Sequence, residues 1–499
     1  MRWFLRDVTG LPVRRGMGAI GAATLAAMSG CAVGPDFKAP EETAPAAWKA
    51  ASDTEGAELP ANWWRLFSDP TLDELVPRAL EQNQDLRGAL ARVERARAVA
   101  RQSEADFYPD IHGGASFTRE RFSANRPTAP GAQRAPYTAS TFSVPFDLSY
   151  EIDVWGRVRR SFEAASSAAD ASELDRVGMS LTVSGDVVRT YFSIRSLDAE
   201  AQVLRDAVDL RRQALEIVQG RFTSGVGNEV DVSRALTERA TAEATLRGVL
   251  RRRAALENAL AVLCGEAPQT FTLAPVADLP GVVSVSAGLP SNLLKRRPDV
   301  GAAVARLREA NAQIGVATAD FYPTFALTGS AGFLSRDLGS ALDAASRTWS
   351  FGPSVSVPIF EGGRNTARLR ESEAFYRERE AAYRQTLLVA FREVEDSLSA
   401  LSELDGEIRF QAEAQRSADR TFELASGRYR QGLVSYLDVV DAARSQLDAR
   451  RAQVQLKGIQ AESTVLLIKA LGGGWNQTAK PGDGGAAQAS VDPAQTNVR

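Results

Sequence analysis

Apolar positions along this 499-residue chain keep two periods, and the places where one gives way to the other divide it. Leu86, Leu90, Val93 and Ala100 fall at the steps of one helix face, and the same steps return as Val300, Val304, Leu307 and Ile314 about 214 residues later. Both stretches end in one motif, Ala105-Asp106-Phe107-Tyr108-Pro109 and Ala319-Asp320-Phe321-Tyr322-Pro323, after which the pattern alternates. Alternation is clearest from Thr138 to Val154: Phe142, Val144, Phe146, Leu148, Tyr150 and Ile152 share one face, and Thr141, Ser143, Pro145, Asp147, Ser149 and Glu151 the other. Partner strands are predicted over Ile111 to Thr118, Thr324 to Phe333 and Trp349 to Ile359.

Helical spacing then resumes. Gly156 to Phe222 and Gly363 to Arg428 are proline-free stretches of about 66 residues, roughly 100 Å of helix each. The second carries a coiled-coil seam through Leu387, Phe391, Val394, Leu398, Leu401 and Ile408. Gly220-Arg221-Phe222 with Val230-Asp231-Val232 recurs as Gly427-Arg428-Tyr429 with Leu437-Asp438-Val439, now about 207 residues on. The loss of about seven residues is expected in a strand-to-strand loop between Tyr322 and Arg364. Each half therefore reads helix, two strands, helix, helix. About 27 residues before Phe107 and about 36 from Asn228 to Leu263, stacked end to end, match one long helix, which predicts a cylinder about 100 Å tall with four helical staves per chain.

No run of about 20 apolar residues occurs anywhere in the chain, so a membrane crossing would be made by strands. One face of each strand then meets lipid, and the other, with Asp147, Glu151 and Asp153 near it, either lines a lumen or is simply solvated. Trp349, Tyr137, Tyr150 and Trp155 lie near strand ends, where aromatic girdles belong. Four strands cannot close a barrel, and open edges in lipid leave backbone groups unsatisfied, so the barrel must be shared between chains. Two copies give eight strands and a filled interior, whereas three give twelve and a pore; spacing alone does not choose three over four.

Composition narrows the partners. The formal net charge is −3, and the four arginines and one aspartate of the leader contribute +3, leaving −6 for the rest and arguing against nucleic acid. Arg14 and Arg15 precede a short apolar run that ends in Met28-Ser29-Gly30-Cys31, a bacterial lipoprotein signal in form, so Cys31 is the expected acylated residue, with Ala32 after it. Cys264 is then the sole remaining thiol and reads as a small buried hydrophobe. The single histidine, His112, lies in a strand without a second ligand, so neither a metal site nor a catalytic triad is supported. No phosphate-binding glycine loop occurs either, and no cofactor or enzymatic activity is expected.

A longer motif is specific. Leu289-Pro290-Ser291-Asn292-Leu293-Leu294-Lys295-Arg296-Arg297-Pro298-Asp299-Val300, continuing through Ala310-Asn311-Ala312-Gln313-Ile314-Gly315, resembles the signature of the outer membrane factor family, the TolC-like exit ducts. Trp63-Trp64 with Phe67-Ser68-Asp69-Pro70, and Leu471-Gly472-Gly473-Gly474-Trp475, resemble its two ends, so the resemblance runs from about Val33 to Trp475. It implies an α+β membrane protein: a homotrimer with a 12-stranded β-barrel, four strands per chain, continuous with a long periplasmic α-helical barrel and a mixed equatorial region. The implied division is a signal peptide over 1–30, an anchor and equatorial segment over 31–79, repeats over 80–264 and 294–472 joined by an equatorial linker over 265–293, and an equatorial end and tail over 473–499. The lipoprotein cysteine points to the branch serving resistance-nodulation-division efflux, a lipid-anchored channel in the outer membrane that passively exports small molecules. An inner-membrane pump and a periplasmic adaptor are the implied partners, and a duct for type I protein secretion is the alternative.

The same resemblance assigns roles. In the turns Thr223 to Asn228 and Gln431 to Ser435, Gly225, Gly227 and Gly432 are read as positive-φ turn formers, and docking to the adaptor is implied for the surrounding Arg221, Phe222, Arg428 and Tyr429. Leu437, Asp441 and Arg444 follow at steps of four and three on one helix face. Matching positions in the family close the periplasmic entrance with an apolar constriction and an acidic ring. Read without the family, Asp441 and Arg444 are an exposed pair contributing about 0.5 kcal/mol to their own helix.

Overall fold

In the computed structural model the described residues are 32–40, 45, 47–49, 59–127, 135–278, 281, 283, 285–288, 290 and 296–475. Cys31 with the leader, Leu289, Ser291 to Lys295 and the tail after Trp475 lie outside them. The elements run α1 (Pro70–Gln82), α2 (Gln84–Ala105), β1 (Asp110–Gly113), β2 (Ser116–Phe122), β3 (Tyr137–Ile152), α3 (Arg157–Thr223), α4 (Glu229–Leu263), α5 (Pro298–Ala319), β4 (Thr324–Ser335), β5 (Arg347–Ser356), α6 (Arg364–Arg430) and α7 (Tyr436–Ala470). Two units emerge, one of residues 1–40, 94–170 and 304–381, the other of 41–93, 171–303 and 382–499.

The first unit holds one antiparallel sheet in the order β1/β2, β3, β4, β5. Where one strand from Ile111 to Thr118 is expected, two are found, yet the register is continuous: Gly113 faces Phe146 and Ser116 faces Ser143. The break lies opposite Pro145, which has no N–H to donate; Gly114 N donates to its carbonyl at 2.9 Å and nothing returns. Likewise β5 stops at Ser356 rather than Ile359, just before Pro358. The missing seven residues are not confined to a loop, because β3 has 16 residues and β5 only 10.

Both faces of the sheet are open. No residue of any strand is buried. Phe146, Leu148, Tyr150 and Ile152 share their side with Leu327 and Phe325 of β4 and, beyond them, Phe351 and Val355 of β5; Asp147 and Ser149 share the other side with Ser330 and Thr328. The outer edges of β1/β2 and β5 have no strand partner among the described residues. Glu151 and Asp153, two of the three acids expected along the polar side, belong to the strand–helix junction: Glu151 accepts from Arg157 at 2.6 and 2.8 Å, and Asp153 caps α3 through Val158 N and Arg159 N. Residues 32–40 also pack in this unit. Val33 N donates to Trp155 O, Asn311 Nδ2 to Pro35 O, and Arg160 to Asp36.

Helix lengths pair off: 67 residues in α3 and α6, 35 in α4 and α7, 22 in α2 and α5. The helix before Phe107 is shorter than the expected 27 because Asn83 ends α1 in an extended conformation and restarts the next helix, its Oδ1 accepting from Leu86 N. Its Nδ2 donates to Leu263 O, satisfying a carbonyl at the end of α4. The main core of the second unit joins Trp63, Trp64 and Phe67 to Leu72 and Val76 of α1, Val187, Tyr191 and Phe192 of α3, and Leu260 and Cys264. Asp69 explains its place in the N-terminal motif, since one oxygen caps α1 at Thr71 N and the other accepts the Tyr191 hydroxyl. Cys264 is fully buried, and burial pushes its thiol up to about 11, so it is an inert filler as its sequence context predicts.

Candidate gate and hairpin turns

Both helical hairpins close with the same backbone device. In the first, Val226 N donates to Arg221 O and Gly225 N to Phe222 O; in the second, Leu433 N donates to Arg428 O and Gly432 N to Tyr429 O. This pairing needs a left-handed residue after the helix, and Gly225 and Gly432 supply it at φ 77° and 78°. Gly227 does not have a positive φ. Its reason is space: a Cβ there would lie 2.6 Å from Phe222 N. The following helices are capped by Asn228, which accepts from Val230 N, and by a Ser435–Asp438 capping box. Arg221 lies over the Tyr429 ring at 4.9 Å, so two of the expected tip residues meet across the hairpins. Phe222 and Arg428 are not buried, and Val226 and Leu433 at the turns themselves are exposed.

Leu437, Asp441 and Arg444 share one face of α7, and all three are exposed. Asp441 stands 3.9 Å from Arg444, too far to be its main partner. That partner is Glu238 of α4, whose Oε1 accepts from Arg444 Nε at 2.9 Å. Glu238 is buried and holds a second cation: Arg211 of α3 lies 3.2 Å from Oε2 and donates to the Glu238 carbonyl. Burial lowers the Arg211 pKa against the pull of Glu238, whereas the hydrogen bond and charge of Glu238 raise that of Arg444. One carboxylate thus ties three helices.

Two more charged clusters fix irregular segments. Arg253 of α4 donates to Asp198 of α3, to Glu257 and to Leu273 O, while Arg195 donates to Ala274 O; the extended segment 271–276 is thereby held against the helices. Arg297, from the long motif, donates to Asp299, to Glu393 of α6 and to Ala470 O at the end of α7. None of Glu238, Arg211 and Arg253 is singled out by sequence reasoning, although a signal exists. Ala235, Glu238, Ala242, Val249, Arg253 and Leu260 form the buried stripe of α4, and its two charged members stand where apolar ones are the rule. No group of residues suited to a metal ion occurs among the described residues.

A sheet bare on both faces, joined to paired 67- and 35-residue helices with matching turns, is the architecture of an outer-membrane channel protein. The family model for outer membrane efflux protein matches residues 75–266 and 289–473, and the chain belongs to that family. It is 32% identical over 461 residues to the antibiotic efflux pump outer membrane protein ArpC of Pseudomonas putida, covering 91% of this chain and 95% of that one. It is 33% identical over 467 residues to the toluene efflux pump outer membrane protein TtgF, also of Pseudomonas putida, covering 90% and 95%. Among solved structures, the outer-membrane channel OprN superposes with a TM-score of 0.84 at 30% identity, over 89% of this chain and all of that one.

Proposed function

We propose that this chain is the outer-membrane duct of a tripartite efflux system, passively passing small organic molecules that an inner-membrane pump delivers through a periplasmic adaptor. The observation that carries the reading is the sheet with, among the described residues, no core on either face and two unpaired edges. In water such a sheet has nothing to stabilise it, and in lipid its edges must pair. Three copies close twelve strands around an open lumen. The matched helix lengths and the two family-model segments support an internal two-fold repeat, whose second helices complete a periplasmic barrel. Cys31 is acylated in this reading and anchors the mature N-terminus to the membrane lipid. The names of the relatives, with antibiotics and toluene among them, favour small apolar or amphipathic cargo.

Purification from the outer membrane is expected to yield a heat-modifiable trimer whose intact mass begins at an acylated Cys31 and which forms an ion-conducting pore in planar bilayers. A monomer without conductance would refute the duct, and an unmodified N-terminus the anchor.

Leu437, Asp441 and Arg444 form the periplasmic gate in this reading, and the hairpin turns are the adaptor-facing tips. Val226→Asp with Leu433→Asp keeps both backbone turns, because neither side chain is buried. That variant should assemble normally yet lower resistance to exported compounds at least to the level of a strain lacking the adaptor. Unchanged resistance would exclude docking at the turns.

A further inference from the structure

We propose that the loop-end rim of the sheet's apolar face binds the phosphate of an outer-leaflet glycolipid, through Arg119, Arg121 and Arg347. The inference rests on the sheet being in the outer membrane, with its hairpin loops outside the cell. The register places the three side chains. Phe117 faces Phe142, which fixes the apolar side of β2; Arg119 and Arg121 follow at alternate positions on that side, opposite Ser140 and Thr138. Glu120 points to the other face. On β5, Arg347 faces Phe333 and therefore shares the same side as Trp349 and Phe351.

That face carries no carboxylate on any strand, and the three arginines are exposed and have no ion-pair partner among the described residues. They stand at one end only. From Ile152 to Phe142 the apolar side of β3 runs about 34 Å along the strand, which at a tilt of about 40° is about 26 Å of height, the thickness of the apolar band of outer-membrane barrels. Arg119 and Arg121 lie one and two steps beyond the Phe117–Phe142 pair, whose ring centroids are 4.6 Å apart, at the level where an aromatic belt gives way to headgroups; Arg347 opens β5 at the same loop end, opposite Phe333, whose β3 neighbour Val144 is one step before that pair. Charge on the lipid side is tolerated at that level and is costly deeper.

Why phosphate, and why there? β2 and β5 are the two open edges, so closing the barrel brings Arg347 of one copy toward Arg119 and Arg121 of the next. Three guanidinium groups gather at each seam without an acid of the same face to balance them. A phosphate monoester supplies the missing charge and accepts from the planar fork of an arginine in two bonds. A lipid bearing such groups at the outer surface fits both the depth and the charge.

The test uses the full-length trimer in phosphatidylcholine nanodiscs doped with diphosphoryl lipid A, with retained lipid read by native mass spectrometry. Wild type should retain diphosphoryl lipid A at least tenfold above its dephosphorylated form. Arg119→Gln, Arg121→Gln and Arg347→Gln together should abolish that preference, whereas the triple Lys variant should keep most of it. If the Gln variant does not assemble, the two lipid forms on wild type still decide. Equal retention of both forms by wild type, undiminished retention by an assembled Gln variant, or equal retention of phosphatidylglycerol would overturn the assignment. A wild-type protein that enters nanodiscs without phosphate preference defeats this inference alone, whereas one that cannot enter them defeats the membrane reading beneath it.

Discussion

Asp441→Ala combined with Arg444→Ser is expected to raise resting single-channel conductance about tenfold or more while leaving the trimer's thermal stability nearly unchanged. The two halves of that expectation come from different magnitudes. Arg444 is more than half exposed, so its bond to Glu238 contributes no more than about 1 kcal/mol per chain. Around a closed mouth built from three copies, about 3 kcal/mol of closure is released together, enough for about a hundredfold change in the open-to-closed ratio. Global folding barely notices a surface pair. The choice of variant matters, because Glu238→Ala would remove the counter-charge of Arg211, which is itself buried, and would destabilise the helices by about 3 kcal/mol or more. A leak from that protein would report unfolding as readily as gating. Asp441 repeated three times at a narrow mouth also favours cations, so the double variant should lose cation preference. Conductance and selectivity both equal to wild type in planar bilayers would sink the gate assignment.

The elements were legible in the chain wherever a single period governed them. Alternation located β3 and β4 to within a few residues, and the absence of proline bounded α3 and α6. Misjudged points share a cause, because each depends on a partner distant in sequence. The gap between β1 and β2 is made by Pro145 on the neighbouring strand, and Asn83 stops α1 while serving the far end of α4. Gly227 has an ordinary φ and is needed only because Phe222 N comes close. Of the candidate site, the face shared by Leu437, Asp441 and Arg444 follows from spacing alone. Its tie to Glu238 does not, since a carboxylate inside a small-residue stripe announces burial without naming the cation, and two arginines answer it. The segment 271–276 has no period to read; buried arginines donating to its carbonyls hold it in place.

A loss of stability is also expected at Arg297, the centre of the long sequence motif. Its side chain is buried and makes bonds in three directions: Nε and Nη2 to Asp299 at 3.0 and 2.7 Å, and Nη1 to Glu393 at 2.7 Å and to Ala470 O at 3.1 Å. Burial works against the charge, but Asp299 and Glu393 outweigh it and raise the guanidinium pKa, so the group stays ionised under all conditions in which the protein functions. The neighbours show why the motif reads Arg-Pro-Asp. Pro298 opens α5, where its missing N–H does no harm, and Asp299 places a carboxylate in the first turn while receiving Arg297. Arg297→Ala strands the last carbonyl of α7 and leaves Asp299 and Glu393, each nearly half exposed, without their shared cation, and should destabilise the unit by about 2 kcal/mol. Arg297→Lys is expected to recover little, because one ammonium on a flexible stem cannot serve acceptors on α5, α6 and α7 at once. The readout is the temperature at which the trimer band dissociates on denaturing gels, expected to fall by about 5 °C or more in both variants. A lysine variant as heat-resistant as wild type would show that the site needs only a positive charge, and the fork geometry would then have no part in holding the three helices together.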